Sequence, residues 1–95
     1  MSKYTLSKVA KEHLLNIYAY GFSNWGETAA DTYYNALFDR FENIAENPYS
    51  YPSVDYVRKG YRRSVCGKDS IYYRIEDGIV EIVAVLGSQD TDTAL

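Results

Sequence analysis

The chain has 95 residues, enough for one domain with a thin hydrophobic core. Its composition, 46% apolar and 24% charged, is that of a globular protein rather than a disordered one. No apolar run approaches the roughly 18 residues of a membrane span, the start Met1-Ser2-Lys3-Tyr4-Thr5 lacks the apolar stretch of a secretory signal, and the lone Cys66 excludes an internal disulfide. The expectation is a cytoplasmic protein with no membrane partner.

The net charge of −3 conceals a segregation. Residues 1–55 and 76–95 are acidic, with net charges of −3 and −5. Between them, Arg58, Lys59, Arg62, Arg63, Lys68 and Arg74 face Asp69 alone, a net of +5. Such a block suits an acidic partner surface, protein or nucleic acid. It equally suits a solvated strand face neutralised by an acidic neighbouring strand. The eleven tyrosines fit half-buried edges and interfaces, since the ring is apolar and its tip polar.

Along the chain, residues 3–6 read as a short strand leading to Ser7, a helix N-cap. Ala10, Leu14, Ile17, Tyr18, Gly21 and Trp25 then recur at helical spacing. This first helix is expected to end near Asn24-Trp25-Gly26, where glycine supplies a left-handed residue. Thr28 and Asp31 resemble a capping box for a second helix with the stripe Ala30, Tyr34, Leu37, Phe41, Ile44 and Ala45. Asn47-Pro48 ends it, because the residue before proline is pushed out of the α region. The helical hairpin spans about 7–46, and residues 47–55 are loop.

The second half, about 56–87, reads as sheet. Tyr56–Cys66 is extended with a break at Gly60. Asp77-Gly78 predicts a two-residue type I′ turn between Ser70–Glu76 and Ile79–Leu86. That turn pairs Ile75 with Val80, Arg74 with Glu81, Tyr73 with Ile82 and Ile71 with Ala84. One face carries Ile71, Tyr73, Ile75, Val80, Ile82 and Ala84 toward the helices. The other carries Tyr72, Arg74, Glu76, Ile79, Glu81, Val83 and Val85. A three-residue loop Gly67-Lys68-Asp69 places Tyr61 and Val65 on the core side and turns Arg63 inward; a two-residue loop turns Arg62 inward instead. The first is preferred for the burial of Val65 and Tyr61. The acidic tail, 88–95, is expected to be poorly ordered, or ordered only by a partner. The fold class is α+β: an N-terminal strand and helical hairpin packed on a C-terminal antiparallel sheet of three main strands.

Little in this chain resembles catalytic machinery. His13 lies off the helical stripe without a second histidine or cysteine at metal-ligand spacing. Cys66 has no base partner, and no phosphate-binding glycine loop exists. No cofactor, metal or catalytic residue is predicted. The one enzymatic alternative is phosphate-directed RNA cleavage by the basic block, with Tyr61 or Tyr72 or a lysine as base.

Certain segments in their order resemble a known family. They are Ser7–Ala10, Ile17-Tyr18-Ala19-Tyr20, Trp25-Gly26-Glu27, Ala29-Ala30 through Leu37, Ala45-Glu46-Asn47-Pro48, Arg58-Lys59-Gly60-Tyr61-Arg62-Arg63 and Ile71-Tyr72-Tyr73-Arg74-Ile75. Together they are similar to ParE toxins of the RelE/ParE superfamily, from Tyr4 to about Asp92. The resemblance implies the toxin of a type II toxin–antitoxin, plasmid-stabilisation pair. It further implies DNA gyrase as target, a ParD-like antitoxin as partner, and operator binding through the antitoxin, with no direct sequence-specific DNA binding by the toxin alone. The family often carries Ile-Leu-His after the last strand; here the run is Val85-Leu86-Gly87. The RelE branch, ribosome-dependent mRNA endoribonucleases, commonly ends in a tyrosine or histidine, and residues 87–95 hold neither. The alternatives to a gyrase poison are thus a RelE-like ribonuclease and a non-toxic relative that only binds antitoxin. Charge and exposed-face arguments select Arg58, Lys59, Tyr61, Arg62, Arg63, Tyr72, Arg74, Ile79 and Val83 as residues for antitoxin or target.

Overall fold

A computed structural model describes residues 3–87. Strand β1 (Tyr4–Leu6) leads to helices α1 (Lys8–Trp25) and α2 (Glu27–Glu46), followed by strands β2 (Arg62–Cys66), β3 (Asp69–Glu76) and β4 (Ile79–Gly87). The sheet order is β1-β4-β3-β2. The last three strands are antiparallel neighbours, and β1 runs parallel to β4. The helical hairpin covers one face.

Ser7 caps α1 as expected. Its Oγ accepts the Ala10 N–H at 2.9 Å and donates to the Val83 carbonyl at 2.8 Å, so one hydroxyl starts the helix and ties it to β4. Gly26 closes α1 at φ +93°, and its N–H reaches the Phe22 carbonyl at 3.1 Å. The capping box does not form. Glu27 and Thr28 are already helical, and Gly26 caps α2 with no side-chain bond. Its carbonyl accepts the Ala30 N–H at 3.0 Å. Asn47-Pro48 ends α2 at Glu46 as predicted.

The main core lies between hairpin and sheet. Ala10, Leu14, Leu37, Phe41 and Ile44 meet Cys66, Ile71, Tyr73, Val80, Ile82 and Val85. Phe41, Leu37 and Ile44 are fully buried, each stabilising by about 1.5–3 kcal/mol. The predicted stripe of α1 does not stay buried along its length: Ile17, Tyr18 and Gly21 are half-buried and Trp25 is 65% exposed.

Two registers differ from expectation. The β3–β4 turn has positive φ at both Asp77 and Gly78, as a type I′ turn requires. It sets Ile75 against Val80, Arg74 against Glu81 and Tyr73 against Ile82. A β-bulge then intervenes between Tyr72 and Tyr73. Val83 is the extra residue, so Ile71 faces Val85 rather than Ala84. Val85 joins the main core, and Ala84 moves to the opposite face. A bulge shifts side-chain parity by one, and the Ser7 hydroxyl holds this one by the Val83 carbonyl.

The β2–β3 turn is Gly67-Lys68 alone, because Cys66 pairs with Asp69. Gly67 sits at φ +62° in the first central position, as in II′ hairpins. Cys66 is therefore buried, Val65 is 57% exposed, and Arg62 rather than Arg63 turns to the hairpin side. Arg62 finds a carbonyl partner there, Tyr51, at 2.7 Å.

The second face is covered by the protein itself. Residues 50–61 fold back over the sheet, pinned by Ser53 bridging Arg62 and by the Arg63 N–H on the Pro52 carbonyl at 3.1 Å. Val54, Tyr72, Ala84 and Leu86 form a second core beneath Val57 and Tyr61. The extended reading of residues 56–60 gives way to turns here, with Gly60 at φ +87°. The tail 88–95 lies outside the described residues.

Candidate functional site

The structure divides the nine residues selected from sequence. Arg58, Lys59, Tyr61 and Arg62 come together at the end of the sheet that carries the Asp77-Gly78 turn. Lys59, Tyr61 and Arg62 line a shallow cleft of about 320 Å³ with Tyr49, Ser53, Asp55, Gly60 and Ile75. Arg62 lies 5.1 Å over the Tyr49 ring, and Arg58 lies 6.0 Å from the Tyr61 centroid. Arg63 projects to the second face. Arg74 is taken up by acidic neighbours, at 2.7 Å from Glu81 and 3.0 Å from Glu76. These contacts hold its guanidinium more firmly protonated, the Glu81 hydrogen bond first.

Tyr72 is fully buried in the second core, out of reach of an antitoxin or target. Its selection rested on an exposed second face, and residues 50–61 cover that face. Val83 is half-buried in the bulge, and Ile79 is 42% exposed at the sheet end. The six cations are thus not gathered at one site: Arg58, Lys59 and Arg62 lie near one another, Arg63 projects to the second face, Lys68 lies at the opposite end of β2, and Arg74 is paired. Neither of the two concavities described is lined by all six of these cations. Nor do the described residues include a cluster of three metal-ligating side chains, and none of their helices is long and apolar enough to cross a membrane.

A larger concavity lies elsewhere. At the Gly67-Lys68 end, the C-terminal half of α1, the start of α2 and the sheet leave an open groove of about 690 Å³. Ile17, Gly21, Ala29 and Ala30 provide apolar lining, and Tyr20, Trp25 and Tyr33 the aromatic lining. Lys68 crosses it, with its Nζ 5.5 Å from the Tyr20 ring and 5.7 Å from the Trp25 ring. Tyr20 and Trp25 are 58% and 65% exposed. Exposed aromatic rings beside a cation are enriched at protein–protein contact surfaces.

Hydrogen bonds hold the groove wall. The Tyr33 hydroxyl lies 2.6 Å from Asp69 Oδ2 and 3.0 Å from the Cys66 carbonyl, donating to one at a time. Burial, then the Asp69 hydrogen bond, raises its phenol above the ordinary tyrosine range. Sequence reading missed this groove because the helical stripe assigned Trp25 to the core. The signal that was available is the flank Asn16, Tyr20 and Trp25 on α1, with Lys68 at a hairpin tip.

Both edges of the sheet bear on how a partner could dock. The Arg40 guanidinium donates from α2 to Ser64 Oγ at 2.8 Å and to the Val65 carbonyl at 2.7 Å. With Pro52 on the Arg63 N–H, the outer edge of β2 is largely occupied. Strand addition there is obstructed, and β1 offers only three residues.

Comparison with known proteins fits this architecture. Residues 4–91 match the family model described as ParE toxin of type II toxin-antitoxin system, parDE. Toxin ParE1 of Caulobacter vibrioides is 38% identical over 87 residues, spanning 90% of this chain and 88% of that protein. Toxin ParE1 of Mycobacterium tuberculosis is 33% identical over 86 residues with the same coverage. A solved structure, the chromosomal ParDE TA system from P. aeruginosa, shares the fold at a TM-score of 0.79 and 15% identity, covering 92% of this chain and 96% of that one. With four strands, a helical hairpin and these relatives over nine-tenths of its length, the chain belongs to the ParE toxin family of type II toxin–antitoxin systems.

Proposed function

We propose that this toxin acts in the cytoplasm by binding rather than by catalysis, that it poisons DNA gyrase, and that a ParD-like antitoxin silences it by seating a segment in the aromatic groove. The groove carries the antitoxin part of this reading. It is open, apolar and crossed by one cation, whereas the second sheet face is filled by residues 50–61 and the β2 edge by Arg40 and Pro52. An amphipathic helix with an acidic residue opposite Lys68 meets those demands. The solved relative described as a ParDE system is consistent with a toxin–antitoxin pair. Gyrase as target rests on family membership.

The test has two parts. Trp25→Ala and Lys68→Glu, both at exposed positions, are expected to weaken capture by the antitoxin at least tenfold while leaving the melting curve unchanged. Supercoiling and cleavage assays with the antitoxin-free chain are expected to yield linear, protein-linked DNA. Undiminished antitoxin capture by both variants refutes the groove assignment. Unaltered supercoiling by folded toxin refutes the gyrase assignment.

A further inference from the structure

Helix α1 carries two apolar tracks, and the sheet uses only one. Ala10, Leu14 and Ile17 pack on the main core. A second track, Lys8, Lys11, Leu15, Tyr18 and Phe22, alternates steps of three and four residues, the spacing of a helix-packing seam. Of the nine large apolar side chains exposed among the described residues, five lie on α1, with Leu15 67% and Phe22 50% exposed. On α2 the matching track is Asp31, Tyr34 and Phe38, continued by Glu42 and Glu46 at exposed positions. The two tracks meet across the outside of the hairpin. The Tyr18 and Tyr34 rings stand edge to face at 5.4 Å, with Phe22 6.3 Å from Tyr18 and Phe38 4.9 Å from Tyr34. The Tyr18 hydroxyl donates to Asp31 Oδ1 at 2.6 Å, which ties this ladder of rings across both helices.

We propose that this outer face of the hairpin pairs two copies of the chain. Its charges are divided between the helices: Lys8 and Lys11 open α1, and Glu42 and Glu46 close α2 at the same end. A two-fold axis along the hairpin lays α1 of one copy on α2 of the other. The two lysines then stand over the acidic end of the partner's α2, and the rings of one copy over the rings of the other. Every neighbouring helix pair is antiparallel, as in a four-helix bundle. A partner of uniform charge would suit one helix and oppose the other, whereas a second copy suits both. An 18-residue helix is about 27 Å long, and two helices side by side offer on the order of 500 Å² per copy. That is about 1,000 Å² in all, the lower limit of a specific interface, so the dimer is a weak one. Leu15, Tyr18, Phe22, Tyr34 and Phe38 take no part in lining the groove at Lys68. Dimer and antitoxin therefore use different flanks of α1, and failure of either reading leaves the other standing.

Sedimentation velocity of the antitoxin-free full chain, over a concentration series, tests it. The expected species has twice the 10.9 kDa of one chain, in equilibrium with monomer at a dissociation constant on the order of 10 µM. Leu15→Glu should weaken this association at least tenfold, with the melting curve of the dilute monomer unchanged. Lys8→Glu puts an acid at a helix N-terminus and Glu46→Lys a base at a helix C-terminus, both of which the helix dipole favours, so both variants fold. Each alone should dimerise at least threefold more weakly than the native chain. An equimolar mixture of the two should recover native association, because in the mixed dimer every cation again faces an acid. Recovery in the mixture identifies the contact as one between copies rather than within a chain. Monomer at every concentration, indifference to Leu15→Glu, or a mixture that does not recover overturns the proposal. Leu15→Glu is also expected to capture antitoxin at native strength; loss of that capture would hand the face to the antitoxin and overturns it as well.

Discussion

Gly67→Ala tests the groove's construction at one atom. Gly67 has a φ of +62°, a conformation an L side chain enters at a cost of about 1–2 kcal/mol. An added Cβ would stand 2.5 Å from Tyr33 Cε1 and 2.9 Å from its hydroxyl, well inside contact distance. The ring must move, yet Asp69 Oδ2 at 2.6 Å and the Cys66 carbonyl at 3.0 Å hold its hydroxyl. Losing the bond to the carboxylate costs about 1.5–3 kcal/mol. The stiffer unfolded chain of the alanine variant offsets about 0.4–1 kcal/mol. The net loss is roughly 2–4 kcal/mol, from a total of roughly 5–14 kcal/mol for a chain of this length. In a domain of this size that lowers the midpoint by at least about 8 °C.

Thermal melts by circular dichroism check the magnitude, and a double-mutant cycle checks the cause. In a Tyr33→Ala background there is no ring to displace. The same glycine substitution should then cost only its backbone strain, about 1–2 kcal/mol. Equal cost in both backgrounds, or a loss below about 1 kcal/mol in the native one, refutes the argument that Tyr33 closes on Gly67. Because Lys68 follows Gly67 in the turn, Gly67→Ala should also weaken groove binding in protein that is still folded.

Three further outcomes are expected. Arg40→Met removes both donors from β2 and should cost about 2–4 kcal/mol in urea denaturation, with light scattering rising because an edge strand is opened; a fully dispersed variant would count against the edge argument. The Gly60 amide resonance should titrate with a midpoint below the ordinary aspartate value of 3.8, because its own bond to Asp55 depresses that carboxyl. The stability this bond adds is present above pH 3.8 and lost as pH falls through the lower value, so a midpoint at or above 3.8 contradicts the geometry. Burial pushes the Tyr73 phenol up to about 12 from 10.0. A proton held more tightly in the folded state stabilises fully below pH 10, and that stability is lost as pH climbs toward 12. Tyr73→Phe should flatten this alkaline loss, and an unchanged limb would refute the assignment.

Local chemistry made much of the fold legible. Ser7, Gly26, Pro48 and Asp77-Gly78 mark helix and strand ends through backbone rules that need no tertiary context, and each operates where expected. What failed depended on contacts distant in sequence. The choice of a two-residue β2–β3 turn lies with the Tyr51 carbonyl that receives Arg62 and the Tyr33 ring against Gly67. Tyr72 was read as exposed because alternation reports a second face but not whether a loop will cover it. Residues 50–61 do, through Val54, Val57 and Tyr61. His13 sits off the helical stripe yet is structural, since its Nδ1 accepts the Val85 N–H at 3.2 Å from a strand 72 positions away. Of the nine selected residues, the three that line one cleft, Lys59, Tyr61 and Arg62, come from a contiguous basic-aromatic segment, where proximity in sequence brought proximity in space.

The bulge connects these local and distant effects. In an unbroken register, Leu86 would follow Val80, Ile82 and Ala84 onto the helix-facing side, and Gly87 would point away. The extra residue at Val83 reverses this: Val85 and Gly87 face the hairpin, and Leu86 joins Tyr72 on the second face. Gly87, paired with Asp69, then lines the groove. A leucine on that side would set a branched side chain where the glycine leaves space. The second core would meanwhile lose an apolar residue from beneath Val54. The bulge is secured from α1, by the Ser7 hydroxyl on the Val83 carbonyl and by His13 on the Val85 N–H. The first two turns of α1 therefore set the side-chain parity that keeps the groove open at its other end.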